Sequence, residues 1–285
     1  MKIYYENSSG KTLDFMRWPY KVSESEILGY EWSYTGTENT GNKSGGSLSS
    51  IRKKIAKTTL TLAVSGHTKE AHMQALENLL AVTEADILAG NPGKLYVDDY
   101  YYLCYVYAST KKEWGQMTTY AENKLKLVSP YPFWCREKTK SFLKGNPATE
   151  ENTDDYLFYP FAYPYRYSMP RDAGFIDNDH YAACDFRLII YGPCDNPEIR
   201  INGHLYKVTV HLAAGDYLEI DSRDNTVYQV KLDGRRINLF NQRDKESGIF
   251  EKIPTGRCFV YWATEGFGFD LTLFQERSEP VWNLL

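Results

Sequence analysis

Two dipeptides, Asn202-Gly203 and Asp233-Gly234, limit the fold more than any other feature, because each sits between two short runs of strand-forming residues. Ile199-Arg200-Ile201 precedes the first and His204-Leu205-Tyr206-Lys207-Val208 follows it, while Val227–Leu232 and Arg235–Leu239 flank the second. An Asx-Gly pair accepts positive φ at little steric cost, and turns of that kind match the twist of paired strands. Both segments are therefore expected to be β-hairpins. Leu218–Asp221, Phe259–Ala263 and Phe267–Phe274 add short strands at regular spacing, the pattern of an antiparallel sandwich or jelly-roll.

The N-terminal half is mixed. Lys2–Tyr5 and Tyr30–Tyr34 are aromatic, strand-like runs, and in Lys57–Ser65 the residues Thr58, Leu60, Leu62 and Val64 alternate with Thr59, Thr61 and Ala63. From His67 to about Ala89 the pattern becomes helical. Met73, Leu76, Leu79, Leu80 and Ile87 fall on one side of a 3.6-residue period, and Gly90-Asn91-Pro92-Gly93 stops the helix. Lys94–Tyr107 and Lys124–Val128 are read as β, and Ser129-Pro130-Tyr131-Pro132-Phe133-Trp134 ends the unit. A boundary near Arg136 follows, which predicts one domain over 1–136 and a second over 137–285.

Two segments are expected to lack regular structure. Thr35–Ser50, rich in Gly, Ser, Thr and Asn, reads as a long mobile loop. It is either solvated slack or a segment that orders against a neighbouring subunit, with Thr35, Asn42, Lys43, Gly45 and Gly46 as the contact candidates. Lys138–Asp155 is charged and polar and reads as an exposed connection between domains. The aromatic run that follows is broken by Pro160 and Pro164, which exclude a central strand. Its Tyr156, Tyr159, Tyr163 and Tyr165 are candidates for an aromatic contact surface, on packing grounds or as a platform for a glycan or peptide.

Composition narrows the function. The 24 tyrosines among 285 residues lean toward half-buried β surfaces and contact faces. A net charge of −4 carries no basic footprint for neutralising phosphates, so specific nucleic-acid binding is not expected. The polar start MKIYYENSSG and the lack of any long apolar stretch point to cytosolic synthesis without membrane insertion. Cys104, Cys135, Cys184, Cys194 and Cys258 are odd in number and without CxxC spacing, so they read as buried free thiols.

No catalytic set emerges. Asp177-Asn178-Asp179-His180 reads as an Asx-rich turn rather than a metal or acid-base site. Asp216, Glu219, Asp221 and Asp224 lack the Gly and Glu positions of a calcium loop and read as solvent-facing positions. His67 and His72 stand five apart, which misses the HExxH spacing. Gly266-Phe267-Gly268 has no following helix to receive a pyrophosphate. Carboxylate pairs at a glycosidase-like distance are neither supported nor excluded by 37 acidic residues. No cofactor and no enzyme activity are expected.

The run Gly192–Trp282, with GPCDNPEIRINGHLYKV, GDYLEIDSRDNTVYQV, GRRINLFNQRDKESGIFEKIPTG and FDLTLFQERSEPVW, resembles the distal tail protein (Dit) family of phages and prophages of Gram-positive bacteria. The helix SGHTKEAHMQALENLL, the strand pair around Gly93–Val97 and Tyr102–Val106, and the exit Ser129–Trp134 extend the resemblance to nearly the whole chain. It implies a virion structural protein of a siphovirus-type tail, mainly β, with an α+β N-terminal domain holding one long helix and a galectin-like β-sandwich after it. In such a protein the N-terminal domain forms a homohexameric ring at the tail tip or baseplate. The implied partners are the tail tube protein, the tail-tip or tail-associated lysin protein and a receptor-binding protein. The alternative is an adhesion module that recognises host cell-wall polysaccharide.

Overall fold

The computed structural model describes residues 1–39, 44–112, 119–144, 173–263 and 266–280. Asn42, Lys43, Tyr156, Tyr159, Tyr163, Tyr165 and Trp282 lie outside the described residues. The chain divides into two units, Met1–Arg136 with Glu276–Leu285, and Glu137–Gln275.

The first unit holds β1 (Ile3–Glu6), β2 (Thr12–Asp14), β3 (Tyr20–Ser25), β4 (Ser33–Glu38), β5 (Gly46–Arg52), β6 (Ala56–Ser65), α1 (Lys69–Ala89), β7 (Gly93–Val97), β8 (Tyr100–Lys112), β9 (Tyr120–Ser129) and the start of β10 (Trp134–Phe142). One sheet runs β2-β1-β7-β8-β10 and the other β3-β6-β9-β8. The long strand β8 serves both. Its first residues pair with β7, it pairs with β9 from Tyr105 onward, and the register shifts between Val106 and Ala108, the kind of irregularity that bends a strand from one sheet into another. Alternation follows the expected period, since β6 buries Leu60, Leu62 and Val64 in a core with Tyr5, Phe15, Leu95, Leu127 and Trp134. The dense segment from Lys94 onward is two strands, with Asp98 at φ 51° in the turn between them.

The helix obeys its boundary signals. Thr68 Oγ1 accepts from the Ala71 N–H at 3.1 Å, and Gly90 takes the left-handed conformation at φ 68°. Its orientation differs from the amphipathic reading. The buried positions are His72, Ala75, Leu79, Val82, Thr83 and Asp86, whereas Met73, Leu80 and Ile87 are 58%, 46% and 45% exposed. Apolar residues occur on both sides of α1, so its packing side is set by partners elsewhere. Asp86 meets Tyr5 and Ser8 of the β1 region, and Thr83 bonds back to the Leu79 carbonyl.

The second unit continues from β10 through β11 (Ala173–Asn178), β12 (Asp185–Tyr191), β13 (Cys194–Asp195), β14 (Glu198–Ile201), β15 (His204–Lys207), β16 (His211–Leu212), β17 (Tyr217–Asp221), β18 (Thr226–Val230), β19 (Arg236–Asn238), β20 (Gly256–Trp262) and β21 (Phe269–Arg277). The sheets β19-β18-β17-β12-β21-β10 and β11-β20-β14-β15 bury one shared core that includes Phe186, Leu188, Ile220, Ile199, Val260, Phe269 and Leu271. This is the expected antiparallel sandwich. Asn202 and Gly203, at φ 49° and 86°, make the tight turn predicted for them. At Asp233-Gly234 only the glycine has positive φ, and the loop closes by Lys231 N–H to Arg235 O, so the connection is longer than a two-residue turn.

The exposed connection expected from Lys138 is corrected over its first residues. Lys138–Phe142 belongs to β10, where Thr139 Oγ1 lies 2.8 Å from Thr272 Oγ1 of β21. Side chains alternate along it, so a polar strand with one wet face passes for a linker by composition alone.

Candidate functional site

The segment expected to be a mobile loop is instead an antiparallel arm. β4 and β5 pair from Ser33↔Arg52 to Glu38↔Gly46, so Thr35 and Gly46 are strand residues and Gly45 takes φ 91° just before β5. Small polar residues misled the reading because they serve a hairpin exposed on both faces as well as they serve a loop. One face carries Ser33, Thr35, Thr37, Ser47, Ser50 and Arg52, and the other brings Tyr34, Ile51 and Leu48 together. A Cβ on Gly36 would lie 2.9 Å from Leu48 Cδ2, so glycine there lets Leu48 fold across the arm. Every residue of β5 is exposed, and Tyr34, Leu48 and Ile51 are 73%, 60% and 58% exposed.

The arm is anchored at its base. Lys53 Nζ donates to the Pro132 carbonyl at 2.9 Å and lies 4.4 Å from the Phe133 ring centroid, 5.3 Å from Trp32 and 5.4 Å from Tyr30. Trp32 meets Phe133 edge-on at 5.9 Å. Burial pushes the Lys53 ammonium down to about 8, against the attraction of Glu279. Beside this cage lies a recess of about 480 Å³, bordered by Glu26, Lys54, Lys57, Tyr102 and Trp134. Among the described residues that border it, no nucleophile is paired with a base.

The second unit presents a different surface. Phe259 and Tyr261 of β20 are 43% and 40% exposed, Phe175 lies opposite Phe259, and Arg200 lies opposite Tyr261. Lys140 and Arg257 stand over the Phe175 ring at 4.1 and 3.7 Å. Phe259 and Tyr261 are the exposed aromatic residues of that sheet among the described residues.

Several of the acidic candidates hold hydrogen bonds within the fold. Asn178 Oδ1 accepts from the His180 N–H, closing the expected Asx turn, and Asp179 accepts from Lys138 and Gln275. Among the described residues no group of three or more His, Cys, Asp or Glu side chains is placed to hold a metal. Asp216 and Asp221 are corrected from solvent-facing to buried, at 5% and 6% exposure. The five cysteines are free, four of them buried, and Cys194 is half-exposed. Burial is tolerated at Asp216 because its carboxylate accepts from Lys231 Nζ at 2.7 Å, Gln229 Nε2, and the N–H groups of Ala213 and Leu232. The Lys231 contact, with those backbone donors, holds the Asp216 carboxyl below its ordinary range. A carboxyl lowered in the folded state stabilises above about pH 4, and that stability is lost as pH falls through the folded value. Urea midpoints of the second unit are thus expected to fall from pH 7 to pH 3, and Asp216→Asn to lower the midpoint at pH 7 while flattening the fall. An unchanged pH slope in the variant would assign the acid sensitivity elsewhere.

Sequence comparison is silent, since no family model and no curated protein matches the chain. Comparison of folds is not. A chain of the phage P2 baseplate in its activated conformation with Ca superposes with a TM-score of 0.64 at 15% identity, over 98% of this chain and 99% of that one. The same baseplate with Sr has a chain that superposes with a TM-score of 0.63, at 15% identity and the same coverage. The Dit protein of phage SPP1, a hub of the adsorption apparatus in phages infecting Gram-positive bacteria, superposes with a TM-score of 0.59 at 12% identity, over 97% and 98% of the two chains. From end to end the chain has the mainly β fold shared by the SPP1 Dit hub and the phage P2 baseplate chains.

Proposed function

We propose that this chain is a non-enzymatic structural subunit of a phage tail tip, which rings with copies of itself and joins the tail tube to the tip and its receptor-binding apparatus. The observation that carries the reading is the likeness in fold to hub and baseplate proteins over essentially the full length of both partners. Such end-to-end agreement at 12–15% identity means that architecture is kept while surfaces change, as suits a part that must match its immediate neighbours. The exposed arm and the apolar outer face of α1 support the same reading, because exposed apolar area on a soluble unit marks contact surfaces.

In this reading residues 1–136 form a homohexameric ring and residues 137–285 project from it as a sandwich domain. The tail tube protein and a tail-tip or tail-associated lysin protein flank the ring, and the virion tail tip is its location. Native mass spectrometry and electron microscopy of the purified chain, alone and with its tail tube protein, are expected to show sixfold rings with a central channel. A chain that stays monomeric at every concentration and with that partner would overturn the proposal.

A further inference from the structure

Along β20 the exposed Phe259 and Tyr261 lead to a recess of about 560 Å³, bordered by Asp195, Asn196, Glu198, Arg200, Tyr261 and Trp262. Tyr261 lies opposite Arg200 of β14, and directly opposed residues of an antiparallel pair share a face, so their side chains stand side by side. Trp262, the next residue, is buried and donates its indole N–H to the Phe267 carbonyl at 3.2 Å. Core packing thus fixes the end of the strand that presents Tyr261.

The polar groups at the border are held in place and balanced in charge. Arg200 donates to Glu198 Oε1 from Nη2 at 2.8 Å and from Nε at 3.1 Å, and Lys207 Nζ lies 3.5 Å from Glu198 Oε2. Asp195 Oδ1 lies 2.5 Å from His211 Nδ1. A guanidinium has five N–H donors and a carboxylate several acceptor positions, so Arg200 and Glu198 keep capacity beyond their own pair. Asn196 is fixed at φ 44°, with its N–H donating to the Val210 carbonyl at 2.8 Å. Its side-chain amide and the Tyr261 hydroxyl make no hydrogen bond among the described residues.

This chemistry selects a ligand class. An anion would meet two carboxylates, Asp195 and Glu198, and a guanidinium that is already paired. A protein partner would bury a broad apolar centre, whereas the border offers one exposed ring. A neutral pyranose matches both halves of the recess. Its C–H face packs on an aromatic ring, and its hydroxyls donate to carboxylate and amide oxygens and accept from guanidinium and amide N–H groups. The volume falls within the range of small-ligand sites. We propose that this recess binds a neutral glycan, with Tyr261 against a sugar ring and Arg200, Glu198 and Asn196 bonded to its hydroxyls. Phe259, two residues from Tyr261 on the same side of β20, extends the surface for a longer glycan. Because the side chains are fixed before binding, little ordering is left for the ligand to impose. The inference does not rest on the ring reading, but copies that ring repeat the site and gain avidity.

Saturation-transfer NMR and titration calorimetry of the full chain test it, with neutral oligosaccharides of glucose, galactose, rhamnose and N-acetylglucosamine in increasing length as probes. At least one series is expected to bind, its longer members more tightly. Tyr261→Ala and Arg200→Ala are each expected to weaken that binding about tenfold, and Tyr261→Phe, which keeps the ring, far less. Phe259→Ala is expected to remove only the gain with length, and Tyr34→Ala on the arm to change nothing. All these positions are exposed, and thermal melts check that each variant folds. Asn196→Ala lies outside the strands and removes no side-chain hydrogen bond of the fold, so its expected loss of about threefold keeps the test valid where a strand variant misfolds. Failure of every neutral series to bind, binding confined to charged glycans, or binding that the recess variants leave unchanged would overturn the proposal. Ring formation is read separately and is expected to be the same in every recess variant.

Discussion

Asp86→Ala is expected to destabilise the first unit by about 1–3 kcal/mol, since the buried Tyr5 hydroxyl would be left unpaired, whereas the Ser8 N–H is near enough to the surface to turn to water. Asp86 is fully buried, and its two oxygens are divided between the Tyr5 hydroxyl at 2.5 Å and the Ser8 N–H at 2.6 Å. Burial, and then the neighbouring negative groups, push the Tyr5 phenol up, so it stays a donor across the working pH range. The bond ties α1 to β1 across most of the first unit's sequence. Gly93 is part of the same arrangement, because a Cβ there would collide with the Tyr5 hydroxyl and with the Asp86 carboxylate. Gly93→Ala is accordingly expected to destabilise the same unit, and Asp86→Asn, which keeps one acceptor, to cost less than Asp86→Ala. Urea unfolding of the full chain, with the two units followed as separate transitions, measures this. A loss below about 1 kcal/mol for Asp86→Ala would show that water replaces the carboxylate without penalty.

Phe269→Ala is expected to cost the second unit about 3–5 kcal/mol, the range for emptying a buried aromatic site. Phe269 is 1% exposed and stacks on Phe142 at 4.6 Å, while Trp262 meets it edge-on at 5.4 Å. Phe142 and Phe269 come from one sheet of the sandwich and Trp262 from the other, so the cluster joins the two layers. Packing at Gly174 shows how closely it is filled, since a Cβ there would lie 2.8 Å from the Phe142 ring. Phe269→Leu retains most of the volume and is expected to lose much less than Phe269→Ala. The second unfolding transition reads both, and equal losses for leucine and alanine would point to ring-specific contacts rather than volume as the source of stability.

The contact arm shows why part of the candidate site escaped sequence reading. Thr35, Gly45 and Gly46 were legible as unusual, but glycine and hydroxyl residues are shared by loops and by ribbons that bury neither face. Nothing local says that Ser33 pairs with Arg52. The apolar residues that make the arm sticky, Tyr34, Leu48 and Ile51, stand apart in sequence and converge only through that register and its bulge at Ser49. Lys138–Phe142 was misjudged for a related reason, because a strand with one wet face has the composition of a linker until its partner strand is known.

Local chemistry decided what sequence alone could determine here. The alternation of Leu60, Leu62 and Val64, the stop at Gly90 and the tight turn at Asn202-Gly203 depend on side-chain period and on φ preference within a few residues, and each appears in the structure as expected. The orientation of α1 was decided only by tertiary structure. Met73, Leu80 and Ile87 would have served as a core stripe, yet Asp86 faces inward because Tyr5 of β1 and Ser8 of the turn after it supply its hydrogen bonds from some 80 positions away. A buried carboxylate with good partners can outweigh an apolar period, and those partners exist only once the sheet has formed.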